Sequence, residues 1–170
     1  FDAEIASLAQ GDLVVVAQET RWEAILSLPN RTLTLSGIVD RVDRYAGCTR
    51  IIDYKTGNFD QKEISLQAPE DLLLPAKAKA LQLLAYVWLY KHQPDSPNDW
   101  PEAGILSFRK LNDGFSSLQL HGLDMTQALG WFEEAVTQLV EQLLDPNREI
   151  SQTDDLKQCA KCDFRAICNR

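Results

Sequence analysis

The sequence lacks a hydrophobic run that could span a bilayer, because its longest apolar stretch, near Leu81–Leu89, is short and interrupted. It also lacks a secretion signal: residues 1–4, Phe-Asp-Ala-Glu, contain neither a basic segment nor an apolar one. An initiator methionine is missing too. We therefore expect the chain to be a C-terminal fragment of a larger protein, with a cytoplasmic location.

Positive charge is scarce. The chain has 17 Lys and Arg residues against 25 Asp and Glu residues, and its net charge is −8 at pH 7. This argues against a whole surface with general affinity for nucleic acid. A polyanion site would have to be local, with a metal neutralising the acids, or be completed by other domains. A chain of 170 residues that is 45% hydrophobic can bury one sizeable core, so we predict a single domain over 1–170.

Cysteines are few but clustered, since three of the four form the pattern Cys159-x₂-Cys162-x₅-Cys168 in a tail at 151–170. Without a secretion signal, disulfides explain this spacing less well than metal or cluster ligation does. Cys48 is distant in sequence, at a predicted turn, and we interpret it as an incidental small residue.

The order of predicted elements is strands, helix, strands, helix. This order is typical of an α/β or α+β fold with one mixed central β-sheet flanked by helices. The predicted strands are 13–18, 20–28, 32–43, 49–56, 103–111 and 115–120, and the predicted helices are 2–10, 76–91 and a long one that opens with Asp124 as N-cap and ends before Pro146. Residues 58–76 are predicted to be a mobile loop.

A hairpin between the third and fourth predicted strands brings ionisable groups together. A two-residue loop at Ala46-Gly47 places Asp40 opposite Asp53, with Cβ atoms about 5 Å apart. Side chains alternate along a strand, so Lys55 lies on the same face as Asp53. Two carboxylates and a lysine therefore converge on one patch.

Two interpretations of this patch remain open. Alternating Asp and Lys residues are often the solvated face of an antiparallel sheet. However, Asp40 falls in the same predicted row as the apolar Ile38 and Val42, where an acid requires a partner or a metal. A divalent cation would also relieve the repulsion between adjacent carboxylates. Asp43 is different: we predict a cross-strand ion pair with Arg50 on the other face, worth about 0.2–1 kcal/mol at most.

The motifs Gly37-x-x-Asp40, Asp53-Tyr54-Lys55 and Gln82-x-x-x-Tyr86 occur in that order. Together they resemble the RecB-like branch of the PD-(D/E)XK nuclease superfamily, and in particular the nuclease domains of bacterial AddB/RecB-type helicase–nucleases. The resemblance covers nearly the whole chain and implies a restriction-endonuclease-like fold.

The resemblance implies roles for the residues of the hairpin. Asp40 and Asp53 would be ligands of Mg²⁺ or Mn²⁺, with the main-chain carbonyl of Tyr54 as a third. Lys55 would orient or deprotonate the attacking water. Mg²⁺ prefers few carboxylates and several waters, which suits such a site.

The resemblance also implies a role for the predicted helix, where Gln82 and Tyr86 are stacked at i and i+4. They would line the site and position the scissile strand, whereas the alternative is a helix hydrogen bond in an ordinary interface. Glu19 could approach the same site from the neighbouring strand.

The three C-terminal cysteines resemble the iron–sulfur tail of this branch, in which one upstream cysteine completes a [4Fe–4S] cluster. Such a cluster needs four thiolates, and no cysteine precedes Cys48 in this sequence. Either the fragment begins after the missing ligand, or the cluster has been lost. Zinc and free thiols are further alternatives.

The resulting hypothesis is a metal-dependent DNase that acts in DNA repair or recombination within a helicase–nuclease, with DNA and the other domains or subunits as partners and no membrane. A second hypothesis is a non-catalytic DNA-binding or scaffolding module that keeps the nuclease fold. A third is a cysteine-ligated structural module that binds protein partners.

Overall fold

A computed structural model describes residues 13–149, together with 5, 9, 152–153, 156–160 and 162–168. The described strands are β1 (Leu13–Leu28), β2 (Arg31–Tyr45), β3 (Cys48–Lys55), β4 (Ser65–Leu66), β5 (Glu102–Ser107), β6 (Phe115–Ser117) and β7 (Gln119–Leu120). The described α-helices are α1 (Ala78–Lys91), α2 (Met125–Leu144) and α3 (Leu156–Cys159). The helix predicted over 2–10 lies largely outside the described residues.

The central sheet has five strands in the order β1-β2-β3-β5-β6. β3 and β5 are parallel, and the other neighbours in this sheet are antiparallel. Parallel neighbours need a crossover connection, and α1 lies in the segment that connects β3 to β5. The prediction of a mixed central sheet flanked by helices, as in a restriction-endonuclease-like fold, is confirmed.

Helix α1 supplies much of the core. An apolar stripe at helical spacing is buried at 0–1% exposure, and it consists of Ala80, Leu83, Leu84, Val87 and Trp88. These side chains belong to one cluster with Ile51 of β3 and Ile105 of β5. Trp88 also meets Phe132 of α2, with ring centroids 6.2 Å apart. The helix that carries Gln82 and Tyr86 is therefore fixed against the strand that carries Asp53 and Lys55.

Several predicted boundaries were wrong. The strands predicted at 13–18 and 20–28 are one strand, β1, in which Glu19 takes a positive φ of 47°. The predicted mobile loop over 58–76 instead contains β4 and three short 3₁₀ helices, at Gln61–Ile64, Pro69–Leu73 and Pro75–Lys77. The turn-forming residues correctly exclude a long α-helix from this segment, but they do not reveal the short 3₁₀ turns that satisfy its hydrogen bonds.

Gly104 of β5 has no room for a side chain. A Cβ atom there would lie 2.6 Å from the Phe115 ring and would also strike the Ser116 carbonyl oxygen. We expect Gly104→Ala to lower the free energy of unfolding by about 1–3 kcal/mol, as overpacking does. Urea denaturation would measure the loss. Gly57→Ala is the matched control, because no atom lies within 4 Å of its Cβ position, and an equal loss in both variants would contradict the prediction.

The chain divides into two compact units, Phe1–Gln138 and Leu139–Arg170. In the second unit, Gln152 Nε2 donates a hydrogen bond to the Cys168 carbonyl oxygen at 3.1 Å. Along α2, the apolar Leu129 and Phe132 are buried, whereas Leu143 near the end of the helix is 82% exposed. No helix among the described residues has the length and apolar character needed to cross a membrane.

Candidate active site

The β2–β3 hairpin has the predicted register, with Tyr45 paired with Cys48 and Asp43 with Arg50. The ladder ends at the Arg41–Ile52 pair, one residue before Asp40 and Asp53. Beyond that point, Asp40 Oδ2 accepts a hydrogen bond of 2.7 Å from the main-chain N–H of Tyr54. The Asp40 carboxylate thus lies where the two strands separate.

Asp53 and Lys55 form an ion pair in this part of the sheet. Lys55 Nζ is 2.7 Å from Asp53 Oδ2, and the Asp53 side chain is only 4% exposed. Apart from this ion pair, no hydrogen bond from the described residues reaches the buried Oδ2. Among the described residues, the Lys55 ammonium is therefore the direct partner that offsets the cost of burying Asp53 Oδ2.

Burial raises the pKa of the Asp53 carboxyl, and the negative charge of Asp40 raises it further. Lys55 and Lys79 lower this pKa but do not cancel the increase. A bound cation would stabilise this pair of carboxylates, because it offsets the repulsion between their negative charges.

Gln82 and Tyr86 of α1 extend this group of contacts. Lys55 Nζ donates to Gln82 Oε1 at 3.2 Å, and Gln82 Nε2 donates to the Tyr86 hydroxyl at 2.9 Å. Burial raises the pKa of Tyr86, as do the charges of Asp53 and Asp40, despite the hydrogen bond from Gln82. The hydroxyl thus stays protonated near neutral pH. The structure brings Asp53, Lys55, Gln82 and Tyr86 into one chain of contacts.

The family model of the PD-(D/E)XK nuclease superfamily matches residues 3–169 of this chain. The chain belongs to this superfamily. PD-(D/E)XK proteins are generally nucleases and typically use a divalent metal such as Mg²⁺ or Mn²⁺.

The chain was also compared with solved structures and with curated proteins. Among solved structures, the crystal structure of SSO0001 is similar with 15% identity and a TM-score of 0.44, over 98% of this chain and 65% of that one. The chain thus spans about two thirds of the length of that protein. A search of curated proteins gave no match.

A PD-(D/E)XK metal fits the residues present. Asp40 and Asp53 offer carboxylate oxygens, and beyond its ion pair with Lys55 the buried Asp53 Oδ2 has no hydrogen bond from the described residues. Mg²⁺ is bound in proteins by one or two carboxylates and keeps several waters. The described residues contain no group of three or more His, Cys, Asp or Glu side chains that could hold a metal, so a two-carboxylate site is what this part of the chain offers.

An open pocket of about 630 Å³ adjoins Asp40 and is lined by Gln18, Glu19, Asp40 and Tyr54. The neighbouring pairs Gln18–Arg41 and Thr20–Val39 put Glu19 opposite Asp40. Glu19 thus reaches the pocket, as the sequence allowed, although its role as a ligand stays a prediction.

The reasoning from one apolar row around Asp40 was wrong. Ile38 is 55% exposed, whereas Val42 is 2% exposed. The alternation of buried and exposed residues in β2 is therefore broken between these positions. The break coincides with the positive φ of Glu19 on the facing strand, a local distortion that residue alternation cannot predict.

The predicted Asp43–Arg50 ion pair is confirmed, but its treatment as a weak pair like those on a solvated surface was wrong. Asp43 is fully buried, and its oxygens accept two hydrogen bonds from Arg50, at 2.8 and 2.9 Å. Arg41 Nη2 lies 2.6 Å from Asp43 Oδ2. The Arg50 guanidinium lies 4.4 Å from the Tyr45 ring centroid and 5.2 Å from that of Phe115. Asp43 thus belongs to a buried charge network, in which the removal of one partner destabilises the fold far more than it does in an exposed pair.

Sequence reasoning missed Lys79, which lies three residues before Gln82 on α1. Lys79 pairs with Glu63, and its charge lowers the pKa of Asp53. The i, i+3 spacing to Gln82 was the available signal, because such residues share a helix face.

The Glu63–Lys79 pair provides a pH test. Burial raises the pKa of Glu63, but hydrogen bonds from Lys79 and the Asp60 amide outweigh it, so the pKa lies below the ordinary 4.5. Ionised Glu63 therefore stabilises the fold above pH 4.5, and this contribution is lost as the pH falls through the lower, folded-state pKa. We expect Glu63→Gln, which can still accept from the Asp60 amide, to lower the free energy of unfolding at neutral pH by at most about 1 kcal/mol. Urea titrations from neutral to strongly acidic pH would show this difference vanish, whereas a constant difference would contradict it.

The cysteines do not form a metal group within the described residues. All four are free; Cys48 is exposed at the hairpin turn, and Cys162 is exposed in the tail. The iron–sulfur cluster at Cys159, Cys162 and Cys168 stays a prediction.

Proposed function

We propose that this chain is a Mg²⁺- or Mn²⁺-dependent DNase domain that hydrolyses phosphodiester bonds. The observation that carries the proposal is the contact chain from Asp53 through Lys55 and Gln82 to Tyr86, next to Asp40. Membership of the PD-(D/E)XK superfamily supports it, because such proteins are generally nucleases.

Asp40 and Asp53 would hold the metal. The bound metal would act as a Lewis acid and polarise a phosphoryl oxygen of the substrate. The Tyr54 carbonyl is a suitable third ligand. In an extended strand, the N–H and C=O of one residue point to the same side. The Tyr54 N–H points to Asp40, so its carbonyl points to the same gap beside β2.

Lys55 and Tyr86 would act on the reacting atoms directly. Lys55 Nζ, held between Asp53 and Gln82, would orient the attacking water and stabilise charge that develops on the phosphoryl group. The Tyr86 hydroxyl accepts from Gln82 Nε2, so its own O–H is left to donate to a phosphate oxygen. Gln82 would hold both groups in place.

The biological setting is part of the proposal. The resemblance to AddB/RecB-type enzymes supports an exonuclease role in DNA repair or recombination, with helicase domains or subunits as partners. The net charge of −8 supports completion of the DNA-binding surface by those partners. The three tail cysteines would hold a [4Fe–4S] cluster if a larger protein supplies a fourth thiolate.

Metal-dependent cleavage of labelled single-stranded DNA would test the proposal. We expect cleavage with Mg²⁺ or Mn²⁺, none in EDTA, and a loss of at least about 100-fold in Asp40→Asn, consistent with the weight of one electrostatic catalytic group. Exposed Asp113 provides the control, since Asp113→Asn should cleave normally. Resistance of circular single-stranded DNA would indicate exonuclease action. Metal-independent DNA binding without cleavage would instead favour the scaffolding alternative.

A further inference from the structure

An exposed aromatic side chain lies at the same end of the central sheet as the proposed site. Phe108, the first residue after β5, is 46% exposed. Its ring stacks on Tyr54, with centroids 5.3 Å apart and planes at 24°. One face of the Phe108 ring is therefore supported by Tyr54, and its exposure leaves the other face accessible to solvent.

The stacked pair is fixed to the strands that carry the proposed catalytic groups. The Phe108 N–H donates to the Lys55 carbonyl oxygen at 2.9 Å, and the Tyr54 hydroxyl accepts from Arg41 Nη1 at 3.1 Å. Tyr54 also lines the pocket that contains Asp40. These contacts thus fix the ring of Phe108 at the same end of the sheet as the proposed metal site, on the face opposite Asp53 and Lys55 because Tyr54 alternates with them along β3.

Two basic residues directly follow Phe108, although the chain as a whole is acidic. Arg109 and Lys110 come directly after Phe108, and both side chains are exposed. Arg109 Nε donates to the Thr56 carbonyl oxygen at 3.1 Å, which fixes the guanidinium beside the end of β3. An open aromatic face with adjacent cations is the arrangement with which proteins bind single-stranded nucleic acid.

We infer that the open face of Phe108 stacks an unpaired base of single-stranded DNA that passes from the proposed site around this end of the sheet, while Arg109 and Lys110 neutralise neighbouring phosphates. The inference rests on the proposed nuclease function for its substrate. It goes further by naming a base-stacking subsite, so the substrate at this position must be unpaired. Stacking accepts any base because every base has an aromatic face, so the subsite selects for strand state rather than sequence.

Binding of two fluorescent 12-nucleotide probes would test the inference. One probe is mixed-sequence single-stranded DNA, and the other has the same backbone but is fully abasic. Fluorescence anisotropy in EDTA keeps the probes intact and makes the result independent of cleavage. We expect Phe108→Ala to weaken binding of the base-containing probe by about 5- to 150-fold, as loss of one base–aromatic stack does, and to leave the abasic probe unaffected.

Further variants separate stacking from other effects. Phe108→Leu keeps apolar bulk and should lose the preference for bases, whereas Phe108→Trp should keep it. Arg109→Ala should weaken both probes equally. Trp100→Ala is the matched control, because Trp100 is 44% exposed and precedes the opposite end of β5, and it should bind both probes as the unmodified chain does.

The outcomes are distinct. Unchanged binding in Phe108→Ala, an equal loss for both probes, or no binding of the base-containing probe by the unmodified chain would overturn the subsite. None of these results would remove metal-dependent cleavage. Conversely, a Phe108-dependent preference for bases without cleavage in any metal would support the subsite and refute the nuclease proposal.

Discussion

Lys55→Ala is expected to lower the rate of metal-dependent DNA cleavage by about 10²–10⁴-fold, the usual contribution of a positioned acid–base group. The Lys55 Nζ atom contacts both Asp53 and Gln82. The substitution therefore removes the ammonium group of the proposed site, together with its hydrogen bond between β3 and α1. The measurement is single-turnover cleavage of labelled single-stranded DNA.

The same substitution has a pH signature. Lys55 lowers the pKa of Asp53, while burial and Asp40 raise it. Without Lys55 the Asp53 pKa rises further, so any remaining activity should require a higher pH than that of the unmodified chain. Exposed Lys62 gives the control, since Lys62→Ala should retain both rate and pH profile. A Lys55→Ala protein that cleaves at the normal rate would exclude the proposed role.

Asp43→Ala is expected to lower the free energy of unfolding by about 3–5 kcal/mol, because it leaves buried arginine charge uncompensated. Asp43 is fully buried and accepts both hydrogen bonds of Arg50, and Arg41 lies beside it. Urea denaturation followed by circular dichroism would measure the loss. The effect is on folding, because Asp43 makes no described contact with Asp53, Lys55 or Gln82.

Asp40→Asn is the natural comparison, since Asp40 and Asp43 lie three residues apart on β2. Asn can still accept the hydrogen bond from the Tyr54 N–H, so this variant should remain folded while it loses cleavage. The two aspartates would then divide between activity and stability. A loss below about 1 kcal/mol in Asp43→Ala would mean that its ion pairs behave like exposed ones.

Much of the arrangement could be predicted from the sequence where the interactions are local. The hairpin register followed from the turn at Ala46-Gly47, and the structure shows the predicted Asp43–Arg50 pairing. The N-cap at Asp124 was predicted from its spacing to Gln127, and the two residues exchange hydrogen bonds of 2.8 and 3.1 Å. The i, i+4 pair Gln82–Tyr86 is likewise a local contact.

What could not be predicted depends on packing between distant segments. The burial of Asp43 depends in part on Phe115 of β6, which covers Arg50 from far along the chain. The Glu63–Lys79 pair joins the 3₁₀ helix at Gln61–Ile64 to α1. The sequence between them has no periodic pattern from which the path of the chain could be predicted. The positive φ of Glu19 is a backbone property that its side chain does not signal.

The position of β3 at the centre of the five-stranded sheet has a consequence for dynamics. Its amides are protected by β2 on one side and β5 on the other, and Ile51 and Ile52 are fully buried. Central strands of this kind exchange their amide hydrogens only when the whole domain opens. Asp53 and Lys55 directly follow this protected segment, where β5 still pairs with β3 but the β2 ladder has ended. The end of β3 that carries the site should therefore open before the centre of the sheet does.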